Sequence, residues 1–196
     1  MNNNQKIEVL KRIISEESGK INTAVAGNII SYDSANNRAV VKPVGSVRFA
    51  DNRTLPYPTI YNVPLVFPSS MGGSCGVSLP IRSGDGCLIV FSQDNMSEFM
   101  GNGKSDDTQK FQLNDAIAIP GLYSASVAGE SKHSNSLTLF YGDSFITLDS
   151  GGFIGKLADG TNFNFSGGDL VVNGISLTKH VHGGIMSGGS NTAKPK

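Results

Sequence analysis

Residues 137–177 read LTLFYGDSFITLDSGGFIGKLADGTNFNFSGGDLVVNGISL, a series of short apolar segments separated by turns rich in Gly, Asp and Asn. The turns recur about every eight to ten residues, a spacing typical of a β-solenoid or an up-and-down sheet. Within the segments, large apolar residues alternate with Thr, Asn, Ser and Gly. We therefore predict short strands that can each bury only one of their two faces.

A single copy of this thin sheet has no second layer to cover its apolar face. It would be an exposed strip whose open edges tend to pair with other chains. Three copies wound around a common axis would bury the apolar faces and pair the edges. Six strands about 4.8 Å apart would then form a rod roughly 30 Å long. The pattern requires a partner surface, but by itself it does not prove the number three.

The region 21–121 reads as strands and loops. Roughly five strands in about 100 residues, with long loops between them, suit a small Greek-key barrel such as the OB-fold. The unbroken apolar run at 87–91 predicts a strand that is buried on both faces. The predicted strands are 27–33, 38–42, 61–67, 77–81 and 87–91.

The only strong helical pattern lies at residues 5–18, where large apolar residues recur at helical spacing along one face. Gly19 suits the C-terminal end of this helix. The helix either docks or trimerises, or it packs on its own domain. The predicted division of this all-β chain is an N-terminal helix at 1–20, an OB-fold barrel at 21–121, a linker at 122–136, a region of short strands at 137–178 and a C-terminal segment at 179–196.

Two histidines follow the last predicted strand, in the sequence KHVHGG at 179–184. If that strand continues, His180 and His182 point to the same face, as residues two apart in a strand do. Imidazole binds Zn, Fe, Cu and Ni, but two nitrogens are too few for a stable site. Three chains around an axis would supply six, an octahedral set that favours iron over tetrahedral zinc. The alternative is a pair that is simply solvated, which is also what we expect of His133 in the linker.

The composition argues against several classes of protein. The chain has 196 residues, with 16 basic and 16 acidic side chains and a formal net charge of +0. We therefore expect no general nucleic-acid or membrane-surface binding, which needs clustered Lys and Arg. No apolar run approaches the roughly 20 residues that span a bilayer, and the sequence MNNNQKIEVL has no signal-peptide pattern. Cys75 and Cys87 make no disulfide framework, and we predict two small buried thiols in a protein made in a reducing cytosol.

An enzyme or a single-stranded nucleic-acid-binding protein would need residue types of which this chain contains few. A metallohydrolase needs further His, Asp or Glu ligands and a general base beside the histidine pair, so we expect neither catalysis nor a small-molecule substrate. A nucleic-acid-binding OB-fold needs stacking aromatic residues in a basic groove. The chain has no Trp. The candidate basic residues of the predicted OB-fold are few: Arg38, Lys42, Arg48 and Arg53.

The segment GISLTKHVHGG at 174–184 resembles the apex motif of phage central spike proteins, the membrane-piercing tips of contractile tails. Further upstream segments, taken in their order, resemble the N-terminal domain of such spikes. Phe99 departs from the pattern, since relatives often carry Trp there. These segments are VPLVFP at 63–68, PIRSGD at 80–85, CLIVFS at 87–92, NMSEF at 95–99 and FQLNDAIAIPG at 111–121.

The resemblance, which covers about residues 27–121 and 137–184, implies an OB-fold that docks on the baseplate hub. The resemblance further implies a trimeric, intertwined β-helix at 137–178 and a pointed metal-binding apex at 179–196. In the family, the two apex histidines of each chain bind one iron ion on the axis, which here implies His180 and His182 of three chains. The implied protein is a non-enzymatic part of the virion, made in the host bacterial cytoplasm, that pierces the host outer membrane during sheath contraction. The alternative is the spike of a related contractile injection system, such as a tailocin or a secretion system.

Overall fold

The computed structural model is mostly β and falls into two compact units, Met1–Gly129 and Glu130–Lys196. The residues that it describes are 3–19, 21–48, 52–103, 110–123, 135–181, 184 and 188. Most of the predicted linker, residues 124–134, lies outside them, as does His133. Within the described ranges, no helix is long and apolar enough to cross a membrane.

The helix α1 spans Asn3–Ser18 and confirms the predicted helix. The Gly19 amide donates to the Ser15 carbonyl at 3.0 Å, and the helix ends there. The large apolar residues of its predicted stripe are about half exposed: Ile7, Leu10, Ile13 and Ile14. The described part of one chain thus leaves this stripe uncovered, in contrast to the alternative in which the helix packs on its own domain.

The rest of the first unit consists of short strands joined by loops. They are β1 Ala24–Asp33, β2 Arg38–Pro43, β3 Ser46–Arg48, β4 Thr54–Pro56, β5 Ile60–Pro64, β6 Ser69–Ser70, β7 Cys75–Gly76, β8 Gly86–Phe91 and β9 Ala116–Pro120. Five of them form the main sheet, and β3–β4 and β6–β7 are separate two-stranded hairpins.

The main sheet curls into an OB-like half-barrel. Its strand order is β5-β2-β1-β8-β9, and every neighbouring pair is antiparallel. A parallel bridge between Leu65 and Ala118 joins the two edges of the sheet, where the Val66 amide donates to the Ala118 carbonyl at 3.0 Å. This arrangement confirms the predicted Greek-key class of fold.

Alternate residues of these strands build the core of the half-barrel. Its largest fully buried side chains are those of Ile29, Val41, Val63, Cys87 and Ile89. In β8, however, Leu88 lies between two core residues and is 37% exposed. The prediction that 87–91 is buried on both faces is therefore wrong, because this sheet packs its core on one side, as antiparallel sheets commonly do.

Two further predictions in this unit are wrong. The segment 77–81 is irregular, because Pro80 has no N–H for a strand ladder. The fifth strand of the barrel is instead β9, whose first and third residues are buried. Cys75 is exposed because it lies in the β6–β7 hairpin, whose strand residues are all exposed.

The two thiols are expected to react very differently. Burial raises the pKa of the Cys87 thiol to about 11, so it stays protonated and shielded at neutral pH, whereas Cys75 is exposed. Native protein treated with iodoacetamide at pH 8 should gain one label, on Cys75, and unfolded protein should gain two. Native Cys75→Ser protein should gain none within the same time. Equal labelling of both thiols in the native protein would contradict the buried position of Cys87.

The second unit is a six-stranded antiparallel meander. Its strands follow in chain order as β10 Leu137–Tyr141, β11 Ser144–Asp149, β12 Gly152–Lys156, β13 Asn162–Ser166, β14 Asp169–Val172 and β15 Ile175–Ser176. Asn173 and Gly174 join the last two strands with positive φ angles of 48° and 83°, as a two-residue type I′ turn requires. Of the two predicted arrangements, a β-solenoid or an up-and-down sheet, a single chain adopts the up-and-down sheet.

Candidate metal centre and assembly surface

One side of the six-stranded sheet is almost entirely apolar. Residues that are paired across neighbouring strands lie on the same face, as do residues two apart in one strand. The strand registers therefore place a single set of side chains together, which we call the apolar face. It consists of Leu137, Leu139, Tyr141, Ile146, Leu148, Phe153, Phe163, Phe165, Leu170, Val172 and Ile175, with Ser144 and Gly155 among them.

Many of these side chains are exposed in a single chain. Leu137 is 70% exposed, Leu139 66% and Ile175 63%. The aromatic members pack on one another within the sheet, with the rings of Phe153 and Phe163 5.6 Å apart. Contiguous apolar patches of this kind mark interaction surfaces on soluble proteins. The described part of one chain thus presents an apolar face that requires a partner.

The opposite face is more polar. One row across the strands contains Thr138, Thr147, Asn164 and Ser176 together with Ile154 and Val171. The neighbouring row contains Phe140 and Phe145 beside Lys156 and Asn162. The two faces therefore differ in their share of polar residues. The apolar face carries the more exposed large side chains, whereas Thr147 on the opposite face is buried within one chain. This difference follows directly from the alternation of apolar and polar residues in the sequence.

The last strand leads into a turn that Asp169 and Ser176 hold together. The Ser176 hydroxyl donates to Asp169 Oδ2 at 2.5 Å, and the Thr178 amide donates to Asp169 Oδ1 at 3.1 Å. The Lys179 amide donates to Ser176 Oγ at 2.8 Å. The hydrogen bond from Ser176, together with those from Thr178 and the Leu170 amide, lowers the pKa of Asp169 against a smaller opposing effect of burial. The carboxylate is therefore the charged acceptor at this turn.

His180 follows this turn and is exposed. Its backbone amide lies 3.2 Å from the Ser176 carbonyl oxygen, and its ring atom Nδ1 lies 2.7 Å from the same oxygen. A carbonyl oxygen only accepts, so Nδ1 carries the proton and donates. In the neutral imidazole the ring lone pair is then on Nε2, the arrangement typical of a histidine that binds a metal.

The structure places the predicted site residues only in part. His182 lies outside the described residues, as do most of the residues after it. The strand that was expected to continue through both histidines ends at Ser176, so their predicted placement on one strand face lacks its basis. Among the described residues, no group of three or more His, Cys, Asp and Glu side chains could hold a metal within one chain.

Asp169 and Ser176 are the residues near His180 that sequence reasoning missed. The strand register that the sequence implies could have indicated both residues. A two-residue turn at Asn173-Gly174 pairs Val172 with Ile175, and extending that register brings Asp169 opposite the residues that follow Ser176. A Ser hydroxyl and an Asp carboxylate that lie close together beside a histidine are expected to form a hydrogen bond.

Comparison with known families matches both units. The family described as phage protein Gp138 N-terminal domain matches residues 25–121, and the family described as GpV apex motif matches residues 174–196. The chain belongs to the phage central spike proteins. The first match coincides with the OB-like half-barrel, and the second with the end of the sheet that carries His180.

The predicted resemblance to central spike proteins is thereby confirmed. Both families are structural parts of phage spikes, so this spike protein is a structural component of the phage tail. The apex motif is a metal-binding motif of spikes, and the imidazole of His180 has a tautomer that fits a metal ligand. No curated protein matches the chain.

Proposed function

We propose that the chain forms a homotrimeric central spike at the baseplate tip of a contractile phage tail, and that this spike pierces the host outer membrane when the sheath contracts. The observation that carries the proposal is the uncovered apolar face of the six-stranded sheet. A thin sheet with one apolar face needs a second layer, and copies of itself around an axis supply that layer.

The energetics favour such an assembly. Full burial of a Leu, Ile, Val or Phe side chain contributes about 1.5–3 kcal/mol, and the apolar face carries many such side chains. Completing the burial of these partly exposed side chains opposes the roughly 4–15 kcal/mol that association costs in lost freedom of motion. A closed cyclic arrangement also protects the open strand edges, β10 and β15, from pairing with other molecules.

An iron ion at the apex would be held by His180 and His182 of the three chains, six imidazoles in all. Six nitrogen ligands suit an octahedral ion and favour iron over zinc. The bound ion acts as a structural cross-link between the chains. Because the site exists only in the assembled trimer, the binding free energy stabilises the trimer against dissociation.

The two units then have separate tasks. The OB-like half-barrel docks on the baseplate hub, and the sheet with its apex forms the narrow distal rod, which concentrates the force of contraction on a small area of the envelope. Piercing of this kind requires no bond cleavage, no nucleic acid and no small-molecule substrate. The protein would be made in the host bacterial cytoplasm and act in the virion.

Labelling of intact tails tests the proposed position of the spike. Fab fragments raised against the purified chain should decorate extended tails at the distal end of the baseplate when viewed by electron microscopy. Fab fragments against the sheath protein are the control and should decorate the length of the tail. Decoration of the capsid or the sheath by the first Fab would contradict the proposed role.

A further inference from the structure

The side chain of Asp169 connects two parts of the chain that meet beside His180. Asp169 begins strand β14, and its carboxylate accepts hydrogen bonds from the Ser176 hydroxyl at 2.5 Å and from the Thr178 amide at 3.1 Å. A charged acceptor strengthens and shortens such bonds. The chain is thereby tied back to the sheet directly before His180.

Ser176 links Asp169 to His180 through hydrogen bonds. Its hydroxyl donates to Asp169 and accepts from the Lys179 amide at 2.8 Å. Its carbonyl oxygen lies 3.2 Å from the His180 amide nitrogen and 2.7 Å from Nδ1 of the ring. Both the backbone and the ring of His180 are therefore anchored on Ser176, which is itself anchored on Asp169.

We propose that Asp169 and Ser176 are positioning residues for the metal ligand His180. Together they fix the orientation of the turn and the Nδ1-protonated tautomer, so that Nε2 is the ligand nitrogen. This inference rests on the proposed metal-binding function. Histidine ligands usually donate their second ring N–H to a carbonyl or carboxylate, and loss of such partners costs roughly 10- to 100-fold in metal affinity.

The alternative is a purely structural role, in which Asp169 and Ser176 only stabilise the end of the sheet. Asp149 offers a matched control for that role. It lies in the same sheet, and its Oδ1 accepts hydrogen bonds from the Gly151 amide at 2.7 Å and the Gly152 amide at 3.2 Å. It thus caps a turn with a carboxylate, as Asp169 does, but its hydrogen bonds within the described residues go to Gly151 and Gly152 and not to Ser176.

The experiment compares full-length Asp169→Asn, Ser176→Ala, Ser176→Thr and Asp149→Asn proteins with wild type. Each is loaded with iron, and the rate of metal release to excess EDTA is measured together with the assembly mass. We expect release about 10- to 100-fold faster for Asp169→Asn and Ser176→Ala. Ser176→Thr keeps a hydroxyl and should restore slow release, and Asp149→Asn should match wild type.

A second measurement separates positioning from stability. The ¹⁵N chemical shifts of the His180 ring in metal-depleted protein report which nitrogen carries the proton. Wild type and Asp149→Asn should show the proton on Nδ1, whereas Asp169→Asn and Ser176→Ala should show an increased share on Nε2. A general loss of stability would not change the tautomer in this selective way.

The outcomes distinguish this inference from the function on which it rests. If wild type binds iron but Asp169→Asn and Ser176→Ala release it as slowly as Asp149→Asn, with Nδ1 still protonated, Asp169 and Ser176 are not positioning residues. If wild type assembles without binding iron at all, the proposed metal site itself is wrong, and the inference is overturned with it.

Discussion

The double substitution His180→Ala/His182→Ala is expected to reduce the metal content of the proposed trimer from about one ion per three chains to none. Each chain would lose both of its proposed ligands, so the axial site would retain no imidazole. The proposed ion would stabilise only the assembled state. The variant trimer should therefore also dissociate and unfold at a lower temperature than the wild type, and wild-type protein treated with a strong chelator should behave like the variant.

The third histidine gives a matched control for this prediction. His133 lies in the predicted linker, and His133→Ala protein should retain the wild-type metal content and melting temperature. Metal analysis by mass spectrometry on samples of known chain concentration measures the effect directly. Full metal content in the double variant would show that His180 and His182 are not the ligands.

The substitution Leu139→Asp is expected to abolish the proposed trimer. Leu139 lies on the apolar face and is 66% exposed in a single chain, and in the proposed assembly it would be buried in all three copies. Each copy would lose about 1.5–3 kcal/mol of burial, and the assembly would have to bury three carboxylates, each at a cost of several kcal/mol. Analytical ultracentrifugation should detect monomers or irregular aggregates in place of a defined trimer.

Thr138→Asp is the control that tests which face of the sheet is buried in the assembly. Thr138 is the neighbour of Leu139 in β10, and its side chain belongs to the opposite, more polar face. A carboxylate at position 138 should leave the trimer intact. If Thr138→Asp disrupts the assembly and Leu139→Asp does not, the polar face and not the apolar face is the buried one.

The strand pattern of the second unit could be predicted because local signals agree there. Large apolar residues recur at about every second position, and Asn173-Gly174 suits a two-residue hairpin turn. The first unit was harder to read. The segment 77–81 looks like a strand by its apolar residues but contains Pro80, whereas β9 follows a loop that separates it from its partner β8 by more than twenty residues. Such long-range pairing leaves little trace in local sequence.

The residue types of the candidate site could be predicted from the sequence, but the geometry of the site could not. A histidine pair after the last strand indicates metal binding, but the end of β15 at Ser176 depends on contacts that Asp169 makes from the neighbouring strand. Those contacts turn the chain before His180. The tautomer of His180 depends in turn on the Ser176 carbonyl, which a search for metal-ligand spacing does not consider.

The most direct test of a trimeric spike closed by an axial metal is native mass spectrometry of the purified full-length chain, with metal analysis of the same sample. The account predicts a mass of three chains of 20.6 kDa with about one iron ion per three chains. A metal-free monomer would contradict it, because the apolar face would then be uncovered and His180 would have no ion to bind.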